Sequence, residues 1–186
     1  VADPINLMDA SPIGDGAAAI VLTSQPLAHN HPQIFVAGSS SCIDTLSVQN
    51  RKTPTFLTAA ANSAKQAYAQ AGISPQDIGI FEYHDAFSIM AALSLEACGF
   101  AEPGRGPQLA LEGKIKFDSE IPVATMGGLK ARGHPVGATG VYQLLEVTQQ
   151  LRESAGATQV KRTKYGMAQN IGGSGSNITT HILQRE

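Results

Sequence analysis

The sequence predicts an α/β fold in which helices cover both faces of a layered, mixed, five-stranded sheet. Short β-branched or apolar runs alternate with segments of helical periodicity, turn residues separate them, and two strand-like runs close the chain. The 186 residues, 42% of them hydrophobic, suffice for one substantial core. The 13 basic and 15 acidic residues form no long run of either sign, which argues against nucleic acid or acidic membranes as partners.

Five strands are expected where short apolar runs are interrupted by turn residues. They lie at residues 33–37, 78–83, 121–124, 165–170 and 177–183, and the last two form an antiparallel pair. Residues 17–23, which follow Gly14 and Gly16, are predicted to be a further buried strand outside this set. Stretches 39–54 and 101–118 are predicted to be loops, and their length suggests contact with a ligand or a partner.

Three helices are predicted from apolar residues at helical spacing. The first covers residues 55–71 and the second covers 88–98, each followed directly by a glycine that acts as a stop signal. The third begins near Ala138. Its apolar stripe consists of Val141, Leu144, Leu145, Thr148 and Leu151.

Cysteine and histidine usage argues against a metal centre or a disulfide framework. Cys42 and Cys98 form no C-x-x-C pair, and Cys98 is predicted to pack in the core. His29 and His31 lie between prolines without a third ligand nearby, so a solvated loop is expected. No apolar run approaches the ~20 residues of a membrane span, and no signal peptide is evident, which favours the cytoplasm.

The stretch from 127 to 140 is the most informative part of the chain. It holds five glycines and a His-Pro pair between the strand at 121–124 and the third helix. Glycine permits positive φ angles and close approach, so this loop is expected to be shaped around a ligand. Its His134 suits donation to an oxyanion or movement of a proton. The alternatives are a phosphate cradle or a tight turn, since glycine spacing alone is weak evidence.

Three polar motifs follow three of the strands. His84 and Asp85 end one strand, His134 follows a second, and the Gly-rich run 170–175 follows a third. Ligands of open α/β sheets bind at strand ends, so these motifs are expected to share one pocket. The structural alternatives are a capping role for His84 and, preferred for Asp85, an N-cap of the helix that starts after it.

Four segments, in this order, resemble the thiolase superfamily. They are Asp-Ala-Ser-Pro-Ile-Gly-Asp-Gly-Ala-Ala-Ala at 9–19, Glu-Tyr-His-Asp-Ala-Phe at 82–87, Gly-His-Pro-Val-Gly-Ala-Thr-Gly at 133–140 and Asn-Ile-Gly-Gly-Ser-Gly at 170–175. The second and fourth are similar to the sterol-carrier-protein-linked and archaeal-type branch. The resemblance implies chemistry at the carbon–carbon bond next to a coenzyme A thioester, with acyl-CoA as substrate and no covalently bound cofactor.

The resemblance implies roles for four catalytic residues. His134 would donate to the thioester oxygen, and His84 would help hold the water that completes this oxyanion hole. Asn170 and Gly172 would shape the second oxyanion hole, where backbone N–H groups are the expected donors.

The resemblance also implies a coenzyme A side of the site. Ser11 would lie near the pantetheine arm, although Ser before Pro also suits an ordinary turn. Gly127 and Gly128 are assigned to the same side. Lys130 and Arg132 either touch the phosphates of coenzyme A or remain solvated, and the sequence does not decide between these.

Two family cysteines are missing from their motifs. Asn170 stands where conventional thiolases have an acid/base cysteine, and Ala86 stands where the related branch often has one. Proton transfer would then fall to His84, His134 or water. The nucleophilic cysteine of the family belongs to the preceding half of the molecule, at a helix N-terminus that favours the thiolate.

The chain is therefore expected to be the C-terminal part of a longer acyltransferase. Residues 1–24 would be the last strand of the N-terminal half, 25–54 a connection, and 55–186 the C-terminal domain. The chain starts at Val1 without an initiator Met, so a fragment or processed product is expected. It is expected to be inactive alone because the half that would carry the nucleophilic cysteine is absent from it.

Several partners and two other functions are compatible with this resemblance. The expected partners are an N-terminal half, in the same chain or a separate subunit, further copies of the protein, and a small OB-fold or zinc-ribbon protein. The alternative functions are a coenzyme A-dependent retro-aldolase and a non-catalytic thiolase-like subunit.

Overall fold

A computed structural model describes residues 3–24, 27, 33–161 and 163–186 of the chain. The described part of the chain contains both strands and helices, as the sequence predicts. In chain order they are β1 (Ile34–Ile43), α1 (Thr58–Ala71), β2 (Ile78–Glu82), α2 (Ser88–Ala97), α3 (Gly106–Leu111), α4 (Gly128–Arg132), α5 (Thr139–Leu151), β3 (Tyr165–Gly172) and β4 (Asn177–Arg185). Helices α2 to α5 follow one another without an intervening strand. His29 and His31, predicted to lie in a solvated loop, are outside the described residues.

The sheet is mixed, with strand order β1-β4-β3-β2. β2 pairs with β3 in parallel, whereas β4 pairs antiparallel with both β3 and β1. The predicted antiparallel pair at the end of the chain is confirmed by β3 and β4. The α/β class is likewise confirmed.

The described sheet has four strands where five were predicted. The fifth candidate, residues 121–124, makes a single parallel bridge between Val123 and Phe81 on the outer edge of β2. Pro122 has no N–H to donate to a ladder, and Ala124 has a φ of 44°, outside the extended region. This segment therefore ends after one bridge.

Helices α1 and α5 cover opposite faces of the sheet, as predicted. On β3, Met167 and Ile171 belong to clusters with α1 side chains, whereas Ala168 packs with Val147 and Leu151 of α5. Adjacent residues of a strand point to opposite faces, so this alternation divides β3 between the two helices. The consequence for the site is that Gln169 faces α1 while Asn170 faces α5.

The buried face of α5 differs from the prediction. Its fully buried residues include a polar stripe at helical spacing, and Val141, Leu144, Leu145 and Thr148 of the predicted apolar stripe are only half-buried. The buried polar stripe consists of Thr139, Gln143, Glu146 and Gln150. The predicted helix is confirmed and Leu151 of its stripe is fully buried, but apolar periodicity alone does not show which of the other faces the sheet covers.

The predicted strand at 17–23 is also absent from the structure. These residues pair with no strand, and Val21 and Leu22 are 94% and 76% exposed. Nothing in the described part of the chain offers this run a sheet neighbour. Two helices were missed as well: α3 lies inside the predicted loop 101–118, and α4 lies inside the Gly-rich stretch.

Two predictions about termini and cysteines hold. Gly72 ends α1 in the left-handed conformation with φ 67°, and Gly99 follows α2 with φ 83°. Cys98 is 1% exposed, and its Sγ donates to Gln169 Oε1 at 3.3 Å. Of the helices in the described part of the chain, none is long and apolar enough to cross a bilayer.

Candidate active site at the ends of β2 and β3

His84 and His134 meet beside the carboxyl ends of β2 and β3. Their ring centroids are 5.0 Å apart and their planes cross at 88°. His84 is 6% exposed, and burial together with the nearby His134 lowers its pKa from 6.5 to about 4. Burial also lowers the pKa of His134, and the positive charge of Arg132 acts in the same direction. These shifts favour the neutral form of both imidazoles.

The N-terminal segment joins the two loops that carry these histidines. Ser11 N–H donates to Ala86 O at 2.8 Å, and His134 N–H donates to Pro12 O at 2.9 Å. Short bridges pair Ala10 with Phe87 and Ile13 with His134. The segment around Ser11 therefore fixes the separation of the two loops.

The Nδ1 atom of His134 faces the hydroxyl of Thr139 at 2.7 Å. That hydroxyl donates its only hydrogen to Pro135 O at 3.0 Å, as threonines in helices commonly do toward the preceding turn. With this hydrogen on Pro135 O, Thr139 Oγ1 accepts from His134, and the imidazole proton lies on Nδ1. The Nε2 atom of neutral His134 is left with a lone pair.

Asn170 is the third predicted residue that the structure brings to this place. Its Nδ2 lies 3.2 Å from His84 Nδ1 and donates to Gln143 Oε1 at 3.0 Å. Gly172 lies two residues further along β3, at the start of the turn into β4. Gly172 O accepts from the N–H groups of Gly175 and Ser176, which closes that turn.

Asp85 caps a helix, although not the one that the sequence predicts. Its carboxylate accepts from the N–H groups of Leu129 at 2.7 Å and Lys130 at 3.4 Å, at the start of α4. The N-cap of α2 is Phe87 instead. Burial raises the pKa of Asp85 above its usual value, against the opposing effect of these N–H donors.

The two glycines assigned to coenzyme A occupy different environments. Gly127 is exposed, whereas Gly128 is buried against the Asp85 carboxylate. A Cβ on Gly128 would lie 2.5 Å from Asp85 Oδ2, and its φ is 59°. Gly128 is thus required for the contact between α4 and Asp85.

The two cations beside the Gly-rich stretch both have protein partners. Lys130 Nζ donates to Ser88 Oγ at 3.2 Å, and Ser88 Oγ donates to Asp9 Oδ1. Arg132 forms an ion pair with the buried Glu146 at 3.0 Å and stacks over the Tyr142 ring. Arg132 is therefore engaged inside the fold, a question that the sequence left open.

A buried pair of acids lies next to that arginine. Glu82, at the end of β2, is fully buried and accepts from Thr125 N–H at 3.1 Å. Burial and the adjacent Glu146 raise the pKa of Glu82 well above its usual value. Its protonated form is therefore favoured more than that of an exposed glutamate, and Glu146 is the acid of the two that forms the ion pair with Arg132.

Sequence reasoning missed Thr139 and Gln143 as site residues. Both belong to the buried polar stripe of α5, at the spacing of four that places residues on one helix face. That spacing was readable in the sequence as a signal. Together with Asn170, Gln143 also lines a cavity of about 270 Å³ beside α5.

The site contains no thiol and no cluster of metal ligands among the described residues. Cys98 faces the α1 side of the sheet through Gln169, opposite to Asn170, and Cys42 is on β1. Within the described ranges, no three His, Cys, Asp or Glu side chains are grouped to hold a metal ion.

Comparison with known proteins identifies relatives of the chain. A family model described as "Thiolase C-terminal domain-like" matches residues 40–185. An acetyl-CoA acetyltransferase of Methanothermobacter thermautotrophicus is 43% identical over 100% of this chain and 49% of its own length. Sterol carrier protein 2 of Rattus norvegicus is 29% identical over 97% of this chain and 34% of its own length.

The solved structures give the same fold. The structure described as "Ltp2-ChsH2(DUF35) aldolase" superposes with a TM-score of 0.87 at 20% sequence identity, over 100% of this chain and 48% of that chain. The chain spans about half the length of the acetyl-CoA acetyltransferase and of this structure.

Proposed function

This chain belongs to the thiolase C-terminal domain-like family, and on that premise we propose that it is the C-terminal half of an acyl-CoA acyltransferase. The complete enzyme would form or thiolytically cleave the carbon–carbon bond of a 3-ketoacyl-CoA. One observation carries the proposal: two imidazoles with lowered pKa values, one from the loop after β2 and one from the loop after α4, have ring centroids 5.0 Å apart. The similarity to an acetyl-CoA acetyltransferase supports the same reaction class.

His134 acts first as a base and then as an oxyanion donor. Its Nδ1 proton faces Thr139, so Nε2 holds the lone pair that takes the proton of a nucleophilic thiol. The protonated Nε2–H then donates to the thioester oxygen as negative charge develops there. One such donor is typically worth about 3 kcal/mol in acyl transfer.

The remaining predicted residues complete the proposed site. His84 holds the water of the first oxyanion hole, while Asn170 and Gly172 shape the second. Ser11 and Gly127 border coenzyme A, and Gly128 serves that side through its close contact with Asp85. Coenzyme A thioesters are the substrates, and the proposed site uses no metal and no covalently bound cofactor.

The proposed assembly supplies the missing nucleophile. The nucleophilic cysteine comes from an N-terminal thiolase half, in the same chain or on a separate subunit. Residues 1–24 would belong to that half and 55–186 to the C-terminal domain, joined by 25–54. We assign the enzyme to the cytoplasm as an oligomer of identical copies, with a small OB-fold or zinc-ribbon protein as a further partner. The chain without its N-terminal half is expected to be inactive.

The test is thiolysis of acetoacetyl-CoA by the complete protein in the presence of free coenzyme A. His134→Ala is expected to lower turnover at least about tenfold, because the oxyanion loses a donor. The matched control is His181→Ala: His181 borders the cavity beside α5, but its described hydrogen bond is to Ser39 on β1 and not to a site histidine. Near-wild-type turnover by His134→Ala would sink the assignment.

A coenzyme A-dependent retro-aldolase is the second candidate, and the absence of a thiol at Asn170 and Ala86 favours it. Aldol cleavage transfers no acyl group to a thiol, so it needs one acid/base group fewer. The structural neighbour described as an aldolase shares the fold alone at 20% identity. Incubation with a 3-hydroxyacyl-CoA, and separately with a 3-ketoacyl-CoA plus coenzyme A, distinguishes the two reactions. If the complete protein turns over neither substrate, the remaining hypothesis is a non-catalytic thiolase-like subunit.

A further inference from the structure

Gln143 lies on α5 beside the two histidines and is 1% exposed. Its Nε2 donates to two backbone oxygens, Tyr83 O at 2.8 Å and Gln169 O at 3.1 Å. Backbone oxygens only accept, so these two bonds use both hydrogens of Nε2. The orientation of the Gln143 amide is therefore fixed by chemistry, because the reverse orientation would place three oxygens together.

The fixed amide orients its neighbour. Gln143 Oε1 points at Asn170 and accepts from Asn170 Nδ2 at 3.0 Å. An amide oxygen in that position would meet a second oxygen, so Asn170 must present its nitrogen to Gln143. The same nitrogen then directs its other hydrogen at His84 Nδ1, 3.2 Å away.

The tautomer of His84 follows from this chain of contacts. A ring nitrogen that receives an N–H must hold a lone pair, so the proton of neutral His84 lies on Nε2. We infer that Gln143 is a positioning residue that acts through Asn170 to hold His84 in the Nε2–H tautomer. His134 is in the opposite tautomer, because its Nδ1–H is directed at Thr139.

The two rings therefore differ in whether they present a hydrogen-bond donor or a lone pair. His84 offers an N–H and His134 offers a lone pair, so one ring is a donor and the other a base before any substrate binds. Gln143 also holds the carbonyl of Tyr83, one residue before His84, and thus fixes the backbone as well as the ring. The use of the His84 N–H as a donor rests on the proposed function, whereas the tautomer itself does not.

A spectroscopic test reads the tautomer without substrate. In the complete protein labelled with 15N-histidine, long-range 1H–15N correlations are expected to show His84 with a protonated Nε2 and an unprotonated Nδ1. Gln143→Met removes every amide contact at similar side-chain length and is expected to produce a mixed or reversed tautomer. The matched control is Gln150→Met: Gln150 is an equally buried, hydrogen-bonded glutamine on α5 that does not touch Asn170. A protonated Nδ1 in the wild type, or an unchanged tautomer in Gln143→Met, would overturn the inference.

A second variant keeps the test decisive if Gln143→Met does not fold. Asn170 is only half-buried, and Asn170→Asp replaces the N–H donor with a carboxylate that can only accept from His84. This variant is expected to move the His84 proton to Nδ1 and to raise its pKa. Retention of the Nε2–H tautomer in Asn170→Asp would contradict the inference as firmly.

Kinetics separate positioning from structural damage. Gln143→Met and Asn170→Ala are each expected to lower kcat about tenfold with KM nearly unchanged, since each removes one donor interaction. Because both act through the same hydrogen bonds, the double variant is expected to lose about tenfold, whereas independent effects would multiply to about a hundredfold. A multiplied loss contradicts the inference. Absence of wild-type thiolysis would instead sink the proposed function, while the 15N signals still decide the tautomer.

Discussion

The imidazole rings of His84 and His134 meet edge to face, with centroids 5.0 Å apart and planes at 88°. Neither ring reaches this position by its own strand alone. The segment around Ser11 connects the two loops. Thr139 of α5 is hydrogen-bonded to His134 directly, whereas Gln143 of α5 reaches His84 through Asn170 on β3. The pair is thus a product of tertiary packing, and its chemistry depends on residues that do not belong to the pair.

Replacement of Thr139 tests its control of His134. Thr139→Val keeps the shape of the side chain but removes the acceptor for His134 Nδ1–H, so turnover in the complete enzyme is expected to fall about tenfold. Thr139→Ser retains the hydroxyl and is expected to stay close to wild type. Thr148→Val is the matched control, because its hydroxyl makes the same bond to the preceding turn without touching the site. Equal effects of the two valine variants on kcat would contradict the role.

Acid stability tests the burial of His84. Its pKa falls from 6.5 to about 4 in the folded protein, so below pH 6.5 the unfolded chain binds the proton more readily. Unfolding is therefore favoured progressively as the pH falls from 6.5 to about 4, with no further loss below that. Between pH 6.5 and pH 4, titration of His84 is expected to lower the free energy of unfolding by about 3 kcal/mol in total.

The measurement compares wild type with His84→Asn by denaturant unfolding between pH 7 and pH 4. The raised pKa of Glu82 acts with the opposite sign, since the folded state then binds the proton more readily, but it is common to both proteins. The wild type loses the stability that depends on neutral His84 as the pH falls, so its advantage over His84→Asn in free energy of unfolding is expected to shrink toward acid pH. A difference that stays constant with pH would show that His84 does not titrate in this way.

Gly128→Ala tests the contact between α4 and Asp85. The new Cβ would lie 2.5 Å from the Asp85 carboxylate at a φ of 59°, and strain in that region alone costs about 1–3 kcal/mol. The free energy of unfolding is expected to drop by at least about 2 kcal/mol. Gly137→Ala serves as the control, because no heavy atom lies within 4 Å of its Cβ position. A similar, small effect for both variants would mean that α4 does not need this contact.

The charge state of the buried acids is tested by two amide substitutions. The raised pKa of Glu82 favours its protonated form, which glutamine resembles in shape and charge, so Glu82→Gln is expected to change the free energy of unfolding by less than about 1 kcal/mol. Glu146→Gln removes the charge that pairs with Arg132 and is expected to cost about 3 kcal/mol or more. Equal losses, measured by chemical denaturation at pH 7, would contradict the assignment.

Much of the fold could be predicted from local sequence. The stripe along α1 and the stop at Gly72, or the apolar runs of β3 and β4, are signals that a single segment carries by itself. Whether residues 121–124 form a fifth strand could not be predicted in this way, because their pairing with β2 is limited by Pro122 and by the φ angle of Ala124. The strand at 17–23 failed for a related reason, since β pairing needs a neighbour that apolar residues alone do not supply.

The candidate site was predictable only in part. The sequence by itself determined which side chains are candidates for the site, because the motif Gly-His-Pro-Val-Gly-Ala-Thr-Gly singles out His134. It also placed His84 and Asn170 close to the ends of two strands. Tertiary structure decided which helix Asp85 caps, that Arg132 pairs with Glu146, and how Gln143 and Asn170 orient His84. The physical reason is that hydrogen bonds and burial depend on distances between segments far apart in sequence. The same imidazole becomes a donor or a base according to the partner that packing supplies.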